Sequence, residues 1–122
     1  RDEQFRGYLT GSIDLAFEHE GRWHILDWKS NWLGANDADY APEALGHAMH
    51  AAHYTLQYHV YLVALHRHLR ARQPRYDPRV HWGQVTYAFL RGIGATGRDG
   101  WFTDAPTAEL LHALDRAFGG TP

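Results

Sequence analysis

Two aspartates and a single lysine form the most suggestive group of side chains in the sequence. They stand in two apolar stretches, GSIDL with Asp14 and ILDWKSN with Asp27 and Lys29. Lys29 is the only lysine among 12 basic side chains, and the others are all arginines. Residues two apart on an extended strand share a face, so Lys29 would lie beside Asp27. A compact ammonium can position or deprotonate a water, whereas the pKa of arginine is too high for that role.

An alternating apolar pattern predicts a β-hairpin around these residues. Glu20–Gly21 supplies the turn, and residues 22–29 form the second strand. This turn places Asp14 directly opposite Asp27, with their Cβ atoms about 5 Å apart on one face. The apolar positions that define the first strand are Leu9, Ile13, Leu15 and Phe17.

Opposed carboxylates repel one another unless a cation lies between them. Mg²⁺ commonly takes one or two carboxylates and completes its shell with water and phosphate oxygens. Asp14, Asp27 and Lys29 therefore favour a Mg²⁺ site that promotes attack on a phosphate. The alternative is that Asp27 and Lys29 are an exposed pair on a strand and that Asp14 is solvated.

A long helical region follows the loop NWLGANDADYA. It begins at Pro42 and ends before Pro74, which exceeds the usual length of a helix in a globular protein. We therefore expect a kink or two helices, with the break near residues 50–54. The apolar residues at helical spacing are Leu45, Ala48, Met49, Ala52, Leu56, Val60 and Val63.

The C-terminal third predicts two more strands and a final helix. HWGQVTYAFLRG has strand character through Val85, Tyr87 and Phe89, and GWFT suits a short edge strand. The last helix is expected to be capped by Asp104 and to end at Gly119–Gly120. The resulting order of elements, ββ-α-β-(β)-α, indicates an α/β fold with a mixed sheet.

The composition indicates one folded domain. The chain has 122 residues, 44% of them hydrophobic, and a net charge of −2, which does not indicate a basic nucleic-acid-binding face. The absence of cysteine excludes disulfides and thiolate zinc sites. No apolar run approaches the roughly 20 residues that span a bilayer, so we expect a soluble cytoplasmic protein without membrane contact.

Three further patterns are weaker. GIGATG, residues 92–97, matches G-x-G-x-x-G but lacks an immediately following helix, so a Gly-rich loop is expected. Three histidines at helical spacing suit either a transition metal or a solvent-facing surface: His47, His50 and His53. A basic cluster suits a solvated face, a partner subunit or DNA phosphate: Arg67, Arg70, Arg72, Arg75 and Arg79.

The ordered set GSIDL, ILDWKSN and LQYHVYLVALHRHL resembles the RecB-type nuclease domains of the PD-(D/E)XK nuclease superfamily. The resemblance implies a restriction-endonuclease-like mixed β-sheet flanked by helices. It also implies that Asp14, Asp27 and the Trp28 carbonyl bind Mg²⁺ and that Lys29 is catalytic. Gln57 and Tyr61 match a Q-x-x-x-Y motif and would point toward the active site or the DNA backbone. Ordinary helix packing is the alternative for these two residues.

The same resemblance implies an exodeoxyribonuclease V type of nuclease within a helicase–nuclease complex. Its partners would be DNA, RecC- and RecD-like subunits and the recombinase RecA, in double-strand-break repair and degradation of linear DNA. The family places a further metal ligand on an upstream helix, and Asp2 and Glu3 stand too close to the first strand to supply it. Residues 1–122 are therefore expected to be a C-terminal nuclease domain that lacks this helix and is weak or inactive alone. The rival interpretation is a non-catalytic docking module for RecA or a partner subunit.

Overall fold

A computed structural model describes residues 13–94 and 97–119. Within these ranges, four strands and four helices follow one another along the chain. They are β1 (Leu15–His19), β2 (Arg22–Lys29), α1 (Pro42–Ala51), α2 (Tyr54–Arg72), α3 (Pro78–His81), β3 (Trp82–Phe89), β4 (Trp101–Asp104) and α4 (Ala108–Ala117). Short 3₁₀ turns occupy Asp37–Tyr40 and Leu90–Gly92.

The β1–β2 hairpin has the predicted turn and register. Glu20 and Gly21 both have positive φ, 51° and 79°, as in the tight turns whose twist matches antiparallel strands. His19 consequently pairs with Arg22, and the ladder continues to Leu15 opposite Leu26. The position of Leu9 in the predicted strand lies outside the described residues.

The four strands form one mixed sheet in the order β1-β2-β3-β4. β1 and β2 are antiparallel, β2 and β3 are parallel, and β3 and β4 are antiparallel. Asp27 pairs with Tyr87 and Tyr87 pairs with Phe102, so these three side chains form a row on one face. This topology confirms the predicted α/β fold with a mixed sheet.

Only one face of the sheet is buried by the described helices. Side chains of β2 alternate between buried positions, such as Ile25 and Asp27, and more exposed ones. On the more exposed face, Trp28 and Trp101 retain 48% and 39% of their accessible surface. The core lies between the other face and α1, α2 and α4, and its largest enclosed side chains are Trp23, Tyr61, Tyr87, Phe89, Ile25, Leu45, Met49, Leu62, Leu65, Leu69 and Leu111.

The long helical region is broken where the sequence predicts a break. α1 ends at Ala51, α2 begins at Tyr54, and His53 between them has a left-handed backbone with φ 61°. α2 then ends at Arg72, before Pro74 as expected. The break changes the direction of the chain and makes Tyr54 the first residue of a new helix.

The predicted start of the last helix is wrong. Asp104 ends β4 and accepts a hydrogen bond from the Tyr58 hydroxyl at 2.6 Å, so its carboxylate is engaged by another helix. Thr107 is the N-cap instead, and its hydroxyl accepts from the Leu110 amide at 3.1 Å. Gly119, with φ 80°, follows the end of α4 as expected, and Gly120 lies outside the described residues.

Helix α3 is absent from the sequence-based prediction, which assigned strand character from His81 onward. Asp77 caps this short helix by accepting from the Arg79 amide at 3.0 Å, and Pro78 occupies the first turn. Beyond α3, the Trp82 indole donates to the Tyr76 hydroxyl at 2.8 Å. That hydroxyl is also hydrogen-bonded to Nδ1 of the buried His66, at 2.5 Å.

Candidate active site

The sheet brings Asp14 and Asp27 together at one end of the hairpin. The Asp14 amide donates to Asp27 Oδ1 at 2.9 Å, and the Trp28 amide donates to Asp14 Oδ2 at 2.9 Å. Each carboxylate is therefore fixed by the backbone of the opposite strand, one step beyond the last β1–β2 pair. Such hydrogen bonds hold two like charges close to one another.

Lys29 lies on the same face as Asp27, as the alternation of β2 predicts. Its Nζ is 2.6 Å from Asp27 Oδ2, and the Lys29 side chain keeps only 17% of its exposure. Asp27 is 1% exposed, so the contact is a buried ion pair. The interpretation of Asp27 and Lys29 as a solvated surface pair is therefore not supported.

Burial dominates the electrostatics of Asp27. Loss of hydration raises its pKa to about 6, against the opposing effects of the Lys29 ammonium and the Asp14 amide. A buried carboxylate that is this costly to ionise is a good partner for an additional positive charge. Burial, followed by the charge of Asp27, also raises the pKa of Tyr87, which therefore remains a hydrogen-bond donor.

Aromatic rings enclose the Lys29 ammonium. Nζ lies 4.3 Å from the ring centre of Tyr54 and 5.6 Å from that of Tyr87. The Tyr87 hydroxyl donates to Gln57 Oε1 at 2.6 Å, and the Tyr54 hydroxyl donates to Asn31 Oδ1 at 3.2 Å. Tyr54 and Asn31 were missed as site residues, because only the tertiary fold brings the start of α2 against the end of β2.

The remaining predicted residues occupy different environments. Gln57 is half-buried and accepts a hydrogen bond from Tyr87, the residue that pairs with Asp27 across the sheet. Tyr61, one turn further along α2, is 1% exposed in the core, which agrees with the packing alternative. The Trp28 amide contacts Asp14, and its indole lies on the opposite face of the sheet.

The side chains present fit a small divalent cation. Two adjacent carboxylates with backbone-fixed oxygens are the protein ligands that Mg²⁺ commonly uses, because it keeps several waters. Asp27 is buried and its pKa is raised by the loss of hydration, so a bound cation beside it would favour its charged form. Among residues 13–94 and 97–119, no group of three or more carboxylates and histidines is arranged to hold a metal. Any cation here would therefore rely on main-chain, solvent or substrate oxygens as well.

Neither the histidine pattern nor the Gly-rich pattern forms a site in the part of the chain that the structure describes. His53 lies in the break after α1, so the helical spacing with His47 and His50 is lost. The segment that starts at Gly92 opens no helix, since the next element is β4; residues 95–96 of this motif lie outside the described ranges.

The basic cluster at the end of α2 is partly a structural contact, which corrects the expectation of a solvated face. Arg67 Nε lies 2.5 Å from Asp115 Oδ1, and Arg70 Nη1 lies 3.2 Å from Asp115 Oδ2. Burial opposes ionisation of Asp115, but these hydrogen bonds outweigh it and lower its pKa. Arg67 and Arg70 therefore join α2 to α4.

The sequence is similar to RecB subunits of RecBCD enzymes over almost its whole length. It is 48% identical over 118 residues to RecBCD enzyme subunit RecB of Escherichia coli K12 and 46% identical over 116 residues to that of Haemophilus influenzae. The RecB subunit of Mycobacterium tuberculosis H37Rv is 43% identical over 121 residues. These alignments cover 96%, 95% and 93% of this chain but 10%, 10% and 11% of the relatives. The chain thus spans about a tenth of the length of the curated relatives it matches.

A family-wide comparison agrees with these individual matches. Residues 2–118 match the model of the PD-(D/E)XK nuclease superfamily. The D-x-K triplet in the name of this superfamily corresponds to Asp27, Trp28 and Lys29 on β2, and Asp14 lies opposite Asp27. Within the described ranges, no helix is long and apolar enough to cross a membrane. The mixed sheet, the acidic pair with its lysine and the match over most of the sequence show that this chain belongs to the PD-(D/E)XK nuclease superfamily.

Proposed function

We propose that the chain is the Mg²⁺-dependent deoxyribonuclease domain of a RecBCD-like helicase–nuclease and hydrolyses DNA phosphodiester bonds. The observation that carries this proposal is the juxtaposition of Asp14, Asp27 and Lys29. Two carboxylates are fixed by each other's strands, and an ammonium lies 2.6 Å from the buried oxygen of one of them. Such a group suits hydrolysis of a phosphate ester with a metal-activated water.

Each residue has a separate role in the proposed reaction. Asp14 and Asp27 would hold Mg²⁺, with the Trp28 carbonyl as a further ligand. Bound Mg²⁺ supplies Lewis acidity and lowers the pKa of a coordinated water. Lys29 would orient the attacking water or stabilise negative charge on the phosphate. Gln57, whose amide orientation is fixed by Tyr87, would position the substrate.

The proposed partners are DNA and the RecC- and RecD-like subunits of a complex that repairs double-strand breaks and degrades linear DNA. The names of the relatives support this assignment, because they describe RecB as a subunit of the RecBCD enzyme. The net charge of −2 suits a module that receives DNA from neighbouring domains better than one that captures it alone. Residues 1–122 would then be the C-terminal nuclease domain of a longer protein.

The test compares variants of the complete protein on linear DNA with a titration of Mg²⁺. Asp14→Asn and Asp27→Asn are each expected to lower the cleavage rate by about 100-fold or more, because each removes a charged ligand. Strand separation by the rest of the enzyme should continue. Glu43→Gln, at an exposed acidic position on α1, is the matched control and should cleave normally. Wild-type cleavage by Asp27→Asn would refute the proposed site.

A docking role for RecA or a partner subunit is the second candidate. It is favoured by Trp28 and Trp101, which flank Ala88 in one row on the more exposed face of the sheet. Under this alternative, Asp27→Asn leaves DNA degradation unchanged and Trp101→Ala weakens assembly with the partner. The proposed nuclease function predicts the opposite result for Asp27→Asn.

A further inference from the structure

Tyr54 has no role in the proposed reaction, yet it makes the closest aromatic contact to Lys29. The ammonium lies 4.3 Å from the centre of the Tyr54 ring, inside the range of a cation–π interaction. Tyr54 is the first residue of α2 and is half-buried, so its ring faces the end of β2 from the helical layer. The attraction between ring and ammonium is stronger where water is largely excluded, and the Lys29 side chain keeps only 17% of its exposure.

The ring of Tyr54 is itself fixed from several sides. It stacks on Tyr87 with a centroid distance of 5.7 Å and an interplanar angle of 30°, and it packs at 49° against Phe89. The hydroxyl at its far end donates to Asn31 Oδ1 at 3.2 Å. Because Tyr87 is hydrogen-bonded to Gln57 in turn, the ring belongs to a rigid group rather than to a mobile surface.

Contact with the Tyr54 ring would help to fix Lys29, because the lysine side chain is flexible and its ionic partner, Asp27, is also a proposed Mg²⁺ ligand. The ammonium lies 2.6 Å from Asp27 Oδ2, and Asp27 is also one of the two carboxylates proposed to hold Mg²⁺. If Asp27 shared its charge with a metal ion, its attraction for the ammonium would be weaker. The face of Tyr54 would take no part in metal binding and would still attract the ammonium.

We propose that Tyr54 is a positioning residue that holds the Lys29 ammonium beside the acidic pair. The inference rests on the proposed nuclease function and adds a residue that acts through Lys29. The ring face provides the effect, and the hydroxyl serves only to orient the ring through Asn31. If Tyr54 had a purely structural role, its replacement would lower kcat no more than the replacement of another aromatic side chain of the core.

The kinetic test uses the complete protein, linear DNA and saturating Mg²⁺. Tyr54→Phe keeps the ring and should retain kcat within about threefold. Tyr54→Leu removes the ring and should lower kcat by tenfold or more with little change in the KM for DNA, because misplacement of a reacting group lowers the rate without weakening binding. Wild-type kcat in Tyr54→Leu, or an equal loss in Tyr54→Phe, would overturn the inference.

Tyr58→Leu is the matched control. Tyr58 lies one turn further along α2 and is 3% exposed, and the centre of its ring is 5.9 Å from that of Tyr87. Its hydroxyl, however, donates to Asp104. Its loss should disturb the core at least as much as loss of Tyr54 and still leave kcat less affected. If Tyr58→Leu lowered kcat as much as Tyr54→Leu, the effect would be general disruption and the inference would fail.

A structure determination gives a measurement that does not depend on activity. In the Tyr54→Leu variant, the Lys29 side chain should be displaced or lack density while α2 keeps its position, and in Tyr54→Phe it should remain in place. An ordered ammonium at its original position in Tyr54→Leu would contradict the proposal. Failure of the nuclease proposal itself would appear separately, as full cleavage by Asp27→Asn.

Discussion

At the scale of single residues, the identity of Lys29 is set by the space around it. Asp27 lies on one side of the ammonium, and the rings of Tyr54 and Tyr87 lie on others. A guanidinium is planar, wider and more dispersed in charge than an ammonium, so it cannot occupy this position without moving a ring. The chain uses arginine at its 11 other basic positions.

Lys29→Arg is therefore expected to lower DNA cleavage by the complete protein by about 100-fold or more, although the charge is retained. The measurement is release of short fragments from linear DNA with Mg²⁺, alongside strand separation, which should persist. Arg79→Lys, the converse exchange at an exposed position, is the control and should cleave normally. Full cleavage by Lys29→Arg would show that Lys29 contributes charge alone, or nothing.

At the scale of secondary structure, the break at His53 decides where Tyr54 can lie. His53 has φ 61°, a conformation that costs an L-residue roughly 1 kcal/mol and that glycine adopts freely. His53→Gly should therefore leave the free energy of unfolding nearly unchanged or slightly higher. His53→Val should lower it by about 1–2 kcal/mol, because a β-branched side chain is poorly tolerated at positive φ.

Urea denaturation of the purified chain would compare these two variants. His50→Val, at an exposed position within the last turn of α1, has ordinary helical geometry and serves as the control, with a loss of less than about 1 kcal/mol. Equal losses at the two positions would mean that the left-handed conformation at His53 carries no strain.

Elements whose signals are local could be predicted from the sequence. Glu20–Gly21 defines a two-residue turn, and that turn alone sets the register that opposes Asp14 and Asp27. The length of the region after Pro42 also revealed a break near His53. In both cases a few neighbouring residues determine the backbone, so no knowledge of tertiary contacts is needed.

The features that were missed depend on contacts between distant segments. The sequence suggests Asp104 as a helix cap, but its carboxylate accepts a hydrogen bond from Tyr58 of α2, and Thr107 caps α4 instead. Arg67 and Arg70 resemble a solvated face until α4 supplies Asp115. Local pattern cannot distinguish a solvated polar side chain from one whose partner lies 40 or more residues away.

At the scale of the whole molecule, His66 makes stability depend on pH. It is 1% exposed, and burial, reinforced by Arg70, lowers its pKa to about 4 from 6.5. Above pH 6.5 the imidazole is neutral in both the folded and the unfolded chain. As the pH falls below 6.5, His66 binds a proton in the unfolded chain but stays neutral in the folded chain. The free energy of unfolding therefore decreases until about pH 4, by about 3 kcal/mol in total.

Denaturation of the purified chain at a series of pH values would measure this effect, with His66→Asn as the comparison. The side chain of Asn can donate or accept a hydrogen bond in place of Nδ1 but does not titrate, so the variant should lack the loss between pH 6.5 and 4. Asp27, whose raised pKa of about 6 gives a slope of opposite sign, contributes equally to both proteins and cancels in the difference. Identical profiles for the two proteins would exclude His66 as the source.

The order of the elements along the chain predicts that the two carboxylates approach each other in an earlier folding step than the one that buries Asp27. The β1–β2 hairpin is closed by a two-residue turn, so Asp14 and Asp27 can come together within microseconds. Parallel pairing of β2 with β3 must first close segment 30–81, which contains α1, α2 and α3, and we expect this step to be slower. Until then, water screens the repulsion between the carboxylates, and an ion can reach them from bulk solvent. We therefore expect the acidic pair to form while it is hydrated, and Asp27 to lose its water only when β3 pairs with β2 and brings Tyr87 alongside it.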